Sequence, residues 1–344
     1  MIISRTPFRV SFFGGGTDYP AWTRERPGAV LASTINKYCY ISCRRLPPFF
    51  EYTTRVLYSR VEHVKSIDEI QHPSVRETLR HLAMGSGLEI HHDGDLPART
   101  GLGSSSTFTV GLLHALHGLK GLMSSKMDLA TAAIHIEQNL IKENVGAQDQ
   151  TLAAFGGFNR IDFRSERSIQ VTPALIPTAR LEALQDHLLL FFTGFTRIAS
   201  EIAADIVAQI PSRTRELQRM LELLEEAQKV LHSNADLAEF GRLLHESWQI
   251  KRTLSGRIST TQVDEMYARA RTAGAIGGKL LGAGGGGFML LFARPEHHEQ
   301  VRKALAGYLH VPFRFEFLGS QIIFYDRINV QEMGDAGAPK RETV

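Results

Sequence analysis

Residues 97–116, PARTGLGSSSTFTVGLLHAL, are the stretch of this chain best suited to chemistry. Gly101 and Gly103 leave the backbone free to turn and remove side-chain bulk, so amide groups can close on an anion. Ser104, Ser105 and Ser106 then lead straight into a run with helical apolar periodicity. The first turn of such a helix carries unpaired N–H groups and the positive end of the helix dipole, a favourable seat for phosphate. The three hydroxyls can reach phosphate oxygens or Mg²⁺. No Gly-Lys-Ser/Thr follows the glycines, so this is not a Walker A loop, nor is it a GxGxxG dinucleotide turn. A serine N-cap after a flexible loop accounts for the same residues. Taken alone, the segment leaves both readings open.

The elements that must position this loop are legible in outline. SFFGGGTDYP ends an early strand in a glycine turn, YCYISCRRL reads as a second strand, and LEIHHDGDLP as a third. Helices are expected from about Ser104 to His117 and from Asp128 to Asn139, where Leu129, Ala133, Ile136 and Leu140 recur at helical spacing. HLLLFFTGF is a short buried strand. A helical block follows, with Leu217, Met220, Leu221, Leu224 and Leu231 on one stripe and an Asp236/Glu239 capping box opening the next helix. GFMLLFA, a helix from Pro295, FRFEFL and QIIFYDR complete the pattern. The expected division is 1–185, 186–330 and a polar tail over 331–344.

Composition narrows the function classes. With 344 residues the chain exceeds one average domain, and 43% hydrophobic residues suffice for a sizeable core. A net charge of +3, scattered rather than blocked, suits an anionic small molecule and is no nucleic-acid footprint. Cys39 and Cys43 lie four residues apart on a predicted strand, on the same face, and read as core rather than metal ligands. His91 and His92 fall on opposite faces of a strand, and His297–His298 reads as an exposed helix start. The first residues lack the pattern of a signal peptide, and the longest strongly apolar run, Leu188–Phe192, is too short to span a bilayer. The expectation is a cytoplasmic protein without nucleic-acid or membrane partners.

Three further segments resolve the open reading of the loop: TPFRVSFFGGGTDYP (6–20), IEQNLIKENVGAQDQ (136–150) and KLLGAGGGGFMLL (279–291). With the serine loop, in this order and spacing, they resemble the galactokinase, homoserine, mevalonate and phosphomevalonate kinase (GHMP) superfamily across about residues 1–328. FFGGGTDYPAW, LPPFFEYTTRVLYS, DLPARTGLGSSS, ENVGAQDQTLAAFGGFN and LLFFTGFTRIAS are most similar to its bacterial D-glycero-D-manno-heptose 7-phosphate kinase branch. The resemblance implies an α+β fold of two domains: an N-terminal domain like the second domain of ribosomal protein S5, and a ferredoxin-like C-terminal domain. The active site would lie between them.

Residue roles follow from the same resemblance. Asp149 would be the catalytic aspartate, with Arg9 beside it and the transferring phosphate. Gly101, Leu102, Gly103, Ser104, Ser105 and Ser106 would hold the phosphates of ATP. Glu137 would ligate Mg²⁺ with a loop serine, Ser105 being preferred over Ser104 and Ser106. Asp18, in the turn with Gly15, Gly16 and Thr17, would bind sugar hydroxyls; Gly15 and Gly16 replace the Glu-His pair of galactokinases. Gly284 and Gly285 would bring the second domain's backbone to the cleft. Arg197, with Arg45 behind it, would clamp a sugar phosphate. The implied reaction moves the ATP γ-phosphate to the anomeric hydroxyl of the heptose 7-phosphate, giving the 1,7-bisphosphate for nucleotide-activated heptose and surface polysaccharide. A fucokinase-like enzyme for an unphosphorylated sugar and a non-catalytic ligand sensor are the alternatives. A homodimer is left open.

Overall fold

The computed structural model describes residues 1–98, 100–165, 168–195 and 199–326. Its first sheet grows around two long neighbours, β1 (Ile2–Phe13) and β2 (Gly28–Arg45), which pair antiparallel. Their apolar and β-branched residues are buried on both faces, so neither reads as a simple alternation. β3 (Thr54–Leu57), β4 (Val61–Val64) and β5 (Leu88–Gly94) extend the sheet beyond β2. The length of β2 lets it serve two partners: residues 39–45 pair with β5, and residues 28–33 with β6 (Phe158–Ser165). β7 (Ser168–Pro173) then pairs with β6. Cys39 and Cys43 are free and fully buried in this core.

The second sheet comprises β8 (Leu188–Phe192), β9 (Ala275–Leu280), β10 (Phe288–Ala293) and β11 (Leu309–His310), in the order β11-β8-β10-β9 and antiparallel throughout. The first strand thus lies between the fourth and the third of a β-α-β-β-α-β succession, as in ferredoxin-like domains. Helices Thr214–Leu231 and Ala238–Thr253 lie between β8 and β9 in sequence. The expected capping box before the latter is half made. Asp236 accepts from the Ala238 N–H (2.9 Å), but Glu239 turns to Arg242 instead of reaching back.

Two short strands then leave the second sheet. β12 (Phe315–Glu316) pairs with β2, and β13 (Gln321–Tyr325) pairs with the outer edge of β1. An even division at residue 185 would give these strands to the second domain; pairing puts them in the first sheet. The expected tail, 331–344, lies outside the described residues.

An aromatic cluster fixes the two parts against each other. Phe12 and Phe13 of β1 meet Phe240 of the Ala238–Thr253 helix edge-on, at centroid distances of 5.6 and 5.1 Å. Phe12 also stacks on Phe158 at 5.3 Å. Such pairs add roughly 0.5–1.5 kcal/mol each beyond their buried area. Among the described residues no helix is long and apolar enough to cross a membrane.

Candidate active site

Arg9 sits where the β1–β2 register shifts, between Pro7 and itself. Such irregularities re-aim side chains beside functional sites. Its guanidinium forks onto Asp149, Nε to Oδ1 at 2.7 Å and Nη2 to Oδ2 at 2.6 Å. The remaining arm, Nη1, donates to the Gly101 carbonyl at 2.6 Å. Arg9 is buried, and the Asp149 side chain keeps 24% of its surface open to the cleft. Asp149 stands in the first turn of the Gln148–Phe155 helix. A Cβ placed on Gly103 would come within 3.3 Å of Asp149 Oδ2, so the carboxylate lies directly against the glycine–serine loop.

The cap of the helix falls on the glycine rather than on a serine. Gly103 is itself the N-cap of the Ser104–Leu119 helix, in the left-handed region at φ 77°, so the cap residue has no side chain to offer. The serines occupy the first helical positions instead, at a helix N-terminus of the kind that favours an anion. Gly101 is demanded by a close approach: at φ +80°, any Cβ there would stand 2.4 Å from the Leu281 carbonyl oxygen. The loop is therefore seated on the second domain. Leu102 is buried, and its carbonyl accepts from the Arg9 amide at 3.2 Å; it anchors the loop without lining the cleft.

Glu137 lies on a turn with i→i+5 bonding, Ile136–Leu140, which follows the Lys126–His135 helix. The extra residue in this turn interrupts the expected helical stripe: Ile136 and Glu137 are buried while Leu140 is exposed. Such turns recur at functional sites. Glu137 Oε2 accepts from Ser106 Oγ (2.7 Å) and Gln150 Nε2 (2.5 Å). Ser106 therefore partners Glu137; Ser104 and Ser105, the latter preferred from sequence, line the same cleft. Burial pushes the Glu137 carboxyl up to about 7, against the pull of the Thr109, Ser106 and Gln150 side chains. Its other oxygen, Oε1, is buried with no hydrogen-bond partner. A hard oxygen donor left unmatched beside a hydroxyl fits the few protein ligands that Mg²⁺ takes alongside phosphates and water.

Across the cleft, Asp18 is 2% exposed. It accepts from the Gly16 amide (3.1 Å) and from Gln148 Nε2 (3.0 Å) and backbone N–H (3.3 Å). Burial, then the nearby Asp149 charge, push its carboxyl above the usual range, and the amides oppose this. Gly15 and Gly16 line the same cleft. Thr17 does not: its hydroxyl binds the Gly14 carbonyl (2.8 Å) and accepts from the Ala29 amide (3.1 Å), holding the turn closed. Gly284 and Gly285 pack on Ile258 away from the cleft; Gly282 and Ala283 line it instead. Arg45, at the far end of β2, is absent from the lining, and Arg197 lies outside the described residues.

Several lining residues escaped the sequence reading: Ser11, Tyr19, Gly146, Gln148, Lys251 and Lys279. Lys251 carried a signal, since with Leu244 and Trp248 it falls on an i, i+4, i+7 spacing, the buried face of its helix. Gly146 is fixed by its neighbour: a Cβ there would stand 1.8 Å from Asp18 Oδ2. Gly146→Ala is therefore expected to displace Asp18 and raise the acceptor KM by about tenfold or more, the scale of one charge-assisted hydrogen bond. Nucleotide affinity should stay within about twofold. Steady-state kinetics with each substrate varied in turn would check this; an unchanged acceptor KM would place Asp18 outside acceptor binding.

Known proteins similar to this chain identify its family. The family model for the GHMP kinases N terminal domain matches residues 72–157, and that for GHMP kinases C terminal matches 220–310, together half of the chain. D-glycero-alpha-D-manno-heptose 7-phosphate kinase of Campylobacter jejuni is 28% identical over 88% of this chain and 93% of its own. The bifunctional fucokinase/GDP-fucose pyrophosphorylase of Arabidopsis thaliana is 27% identical over 87% of this chain, which spans only 30% of that longer protein. Among solved structures, the "Putative Sugar Kinase from Campylobacter jejuni" superposes with a TM-score of 0.69 at 25% identity, over 93% of this chain and 97% of its own. A D-glycero-D-manno-heptose 1-phosphate kinase from Bacteroides thetaiotaomicron also gives 0.69, at 24% identity over 93% and 98%, a likeness of fold. With both family models matched in order, this chain belongs to the GHMP kinases and is an ATP-dependent phosphotransferase.

Proposed function

We propose that the protein transfers the γ-phosphate of ATP to the anomeric hydroxyl of D-glycero-D-manno-heptose 7-phosphate, giving the 1,7-bisphosphate. The observation that carries the transfer chemistry is the Arg9–Asp149 fork set against the glycine–serine loop and facing Asp18 in one cleft. Phosphoryl transfer asks a protein mainly for positioning and charge stabilisation. The first-turn amides of the Ser104–Leu119 helix hold the phosphates. Asp149 accepts a hydrogen bond from the attacking hydroxyl and aligns it, with Arg9 fixing both carboxylate oxygens. Asp18 grips sugar hydroxyls, and the buried, unpartnered Ser11 Oγ and Gln148 Oε1 beside Gly15 offer two further polar contacts to a polyol. Glu137 and Ser106 would hold Mg²⁺, which when bound neutralises charge on the phosphate oxygens.

The heptose 7-phosphate assignment draws support from the near full-length relationship to the Campylobacter jejuni enzyme of that name. Its product would feed the synthesis of nucleotide-activated heptose. The fucokinase relationship makes a free sugar the second reading. A panel of phosphorylated and free sugars with coupled ADP detection separates them. A preference of about 100-fold or more in kcat/KM for the heptose 7-phosphate over free heptose and fucose is expected, two charged hydrogen bonds' worth. Equal or faster turnover of free sugars overturns the assignment.

The position of Glu137 gives a pH signature. Its folded-state pKa lies near 7 against an ordinary value of 4.5. From about pH 4.5 to 7 the native state therefore holds a proton that the unfolded state releases, and stability falls as pH rises. Without metal, Glu137→Gln should abolish that fall in urea unfolding. With nucleotide present, apparent Mg²⁺ affinity of the wild type should strengthen as pH rises through 7. A Mg²⁺ affinity that is flat from pH 6 to 8 would remove Glu137 from the metal site.

A further inference from the structure

Two ammonium groups enter the cleft from the second domain: Lys251 on the Ala238–Thr253 helix and Lys279 on β9. They are 9% and 3% exposed. Lys251 Nζ donates to the carbonyls of Leu280 (2.9 Å) and Gly282 (2.5 Å), and Lys279 Nζ to that of Phe12 (2.8 Å). An ammonium has three N–H donors. One proton of Lys251 and two of Lys279 are thus left without a protein acceptor, and no carboxylate among the described residues pairs with either. Asp149, the cleft's closest match for a cation, is already taken up by Arg9.

Position tells what the pair faces. Gly282, which anchors Lys251, abuts the phosphate loop: a Cβ on it would stand 2.4 Å from Gly101 Cα. Phe12, which anchors Lys279, is the penultimate residue of β1, which leads into the turn that carries Asp18. The pair therefore bridges donor loop and acceptor turn on the side where Arg9 meets Asp149. Both ammonium groups feel Arg9: burial and Arg9 push Lys279 down to about 7, and burial, Lys279 and Arg9 push Lys251 well below its ordinary value. Both shifts favour the neutral amine while the cleft is empty, and an arriving phosphate anion favours the ammonium form again. A phosphate at the distal end of a sugar would lie away from the attacked hydroxyl, and so away from Arg9–Asp149.

We propose that Lys251 and Lys279 form a two-pronged seat for the phosphoryl group during transfer. This rests on the phosphotransferase reading of the same cleft. In the step, the bond from the γ-phosphorus to the β,γ-bridging oxygen breaks and its electron pair leaves with ADP. A bond from the acceptor's hydroxyl oxygen to phosphorus forms, and the hydroxyl proton departs by way of Asp149 to solvent. Neither lysine changes its proton count in that step; both hold charge that grows on the phosphoryl oxygens.

The test uses the full chain carrying Lys279→Met, Lys251→Met or both, with calorimetric binding of Mg·ADP in the presence and absence of beryllium fluoride, a mimic of the γ-phosphoryl group. No sugar is present in this arm, so its outcome is independent of which acceptor the enzyme uses; the sugar panel alone tests that. In the wild type, beryllium fluoride should tighten ADP binding. Each lysine variant should lose about tenfold or more of that gain while Mg·ADP affinity stays within about twofold, the loss of one charge-assisted contact. In turnover, kcat should fall with little change in acceptor KM. An undiminished gain in the double variant, an equal weakening of ADP with and without beryllium fluoride, or a loss confined to acceptor KM would each overturn the proposal. Should Lys251→Met fail to fold, Lys279→Met, on which only one carbonyl depends, decides the matter alone.

Discussion

Asp149→Ala is expected to bind Mg·ATP within about twofold of the wild type and to lose roughly 10³-fold in kcat, the middle of the range for a positioned acid–base group. The split follows from the placement of the carboxylate. It lies against the loop through Oδ2 near Gly103, while the first-turn amides proposed to hold the phosphates belong to another helix. A loss of 10³ corresponds to about 4 kcal/mol of transition-state stabilisation. Single-turnover kinetics and nucleotide titration would measure both quantities. Turnover near that of the wild type would remove Asp149 from the mechanism.

Arg9→Met should lower kcat by a comparable factor, about 10³, because an arginine at a transferring phosphoryl group contributes on that scale. Unlike Asp149→Ala, it should also weaken the fold. The guanidinium ties β1 to the loop through Gly101 and to the Gln148–Phe155 helix through Asp149, and the side chain is 5% exposed. Loss of hydrogen bonds to a charged partner costs about 1.5–3 kcal/mol, with the lower end apt because Asp149 retains contact with water. Urea unfolding beside steady-state kinetics would separate the two effects. A variant that is destabilised but catalytically normal would make Arg9 a structural residue only.

Much of the site was legible because its chemistry is carried by short contiguous motifs. The glycine–serine turn, Arg9, Asp149 and Asp18 each sit in a run whose residue types announce a turn or helix start. What escaped was set by pairing across distance. Ser106 rather than Ser105 meets Glu137 because of the helix's rotation on the sheet, which three consecutive serines do not disclose. β9 has no place among the expected elements; its Gly277 and Gly278 permit close packing on the neighbouring helix and strand, and Lys279, first residue of the third motif, was given no role of its own. Gly284 and Gly285 looked like cleft residues because they lie in a glycine run; the backbone instead spends that freedom packing on Ile258. The second sheet's strand order agrees with the expected ferredoxin-like domain, while the return of β12 and β13 depends on long-range pairing that local patterns do not report.

That return has a bearing on how the molecule is made. β13 covers the free edge of β1, and the Asp326 amide reaches the Met1 carbonyl at 3.0 Å, so the earliest and latest strands of the described chain lie side by side. During synthesis β1 must wait, its outer edge bare, until more than three hundred further residues have left the ribosome. A truncation after residue 310 should consequently yield an aggregation-prone product through that uncovered edge. A circular permutant that links Asp326 to Met1 and opens elsewhere should fold, with its final strand no longer the last to arrive.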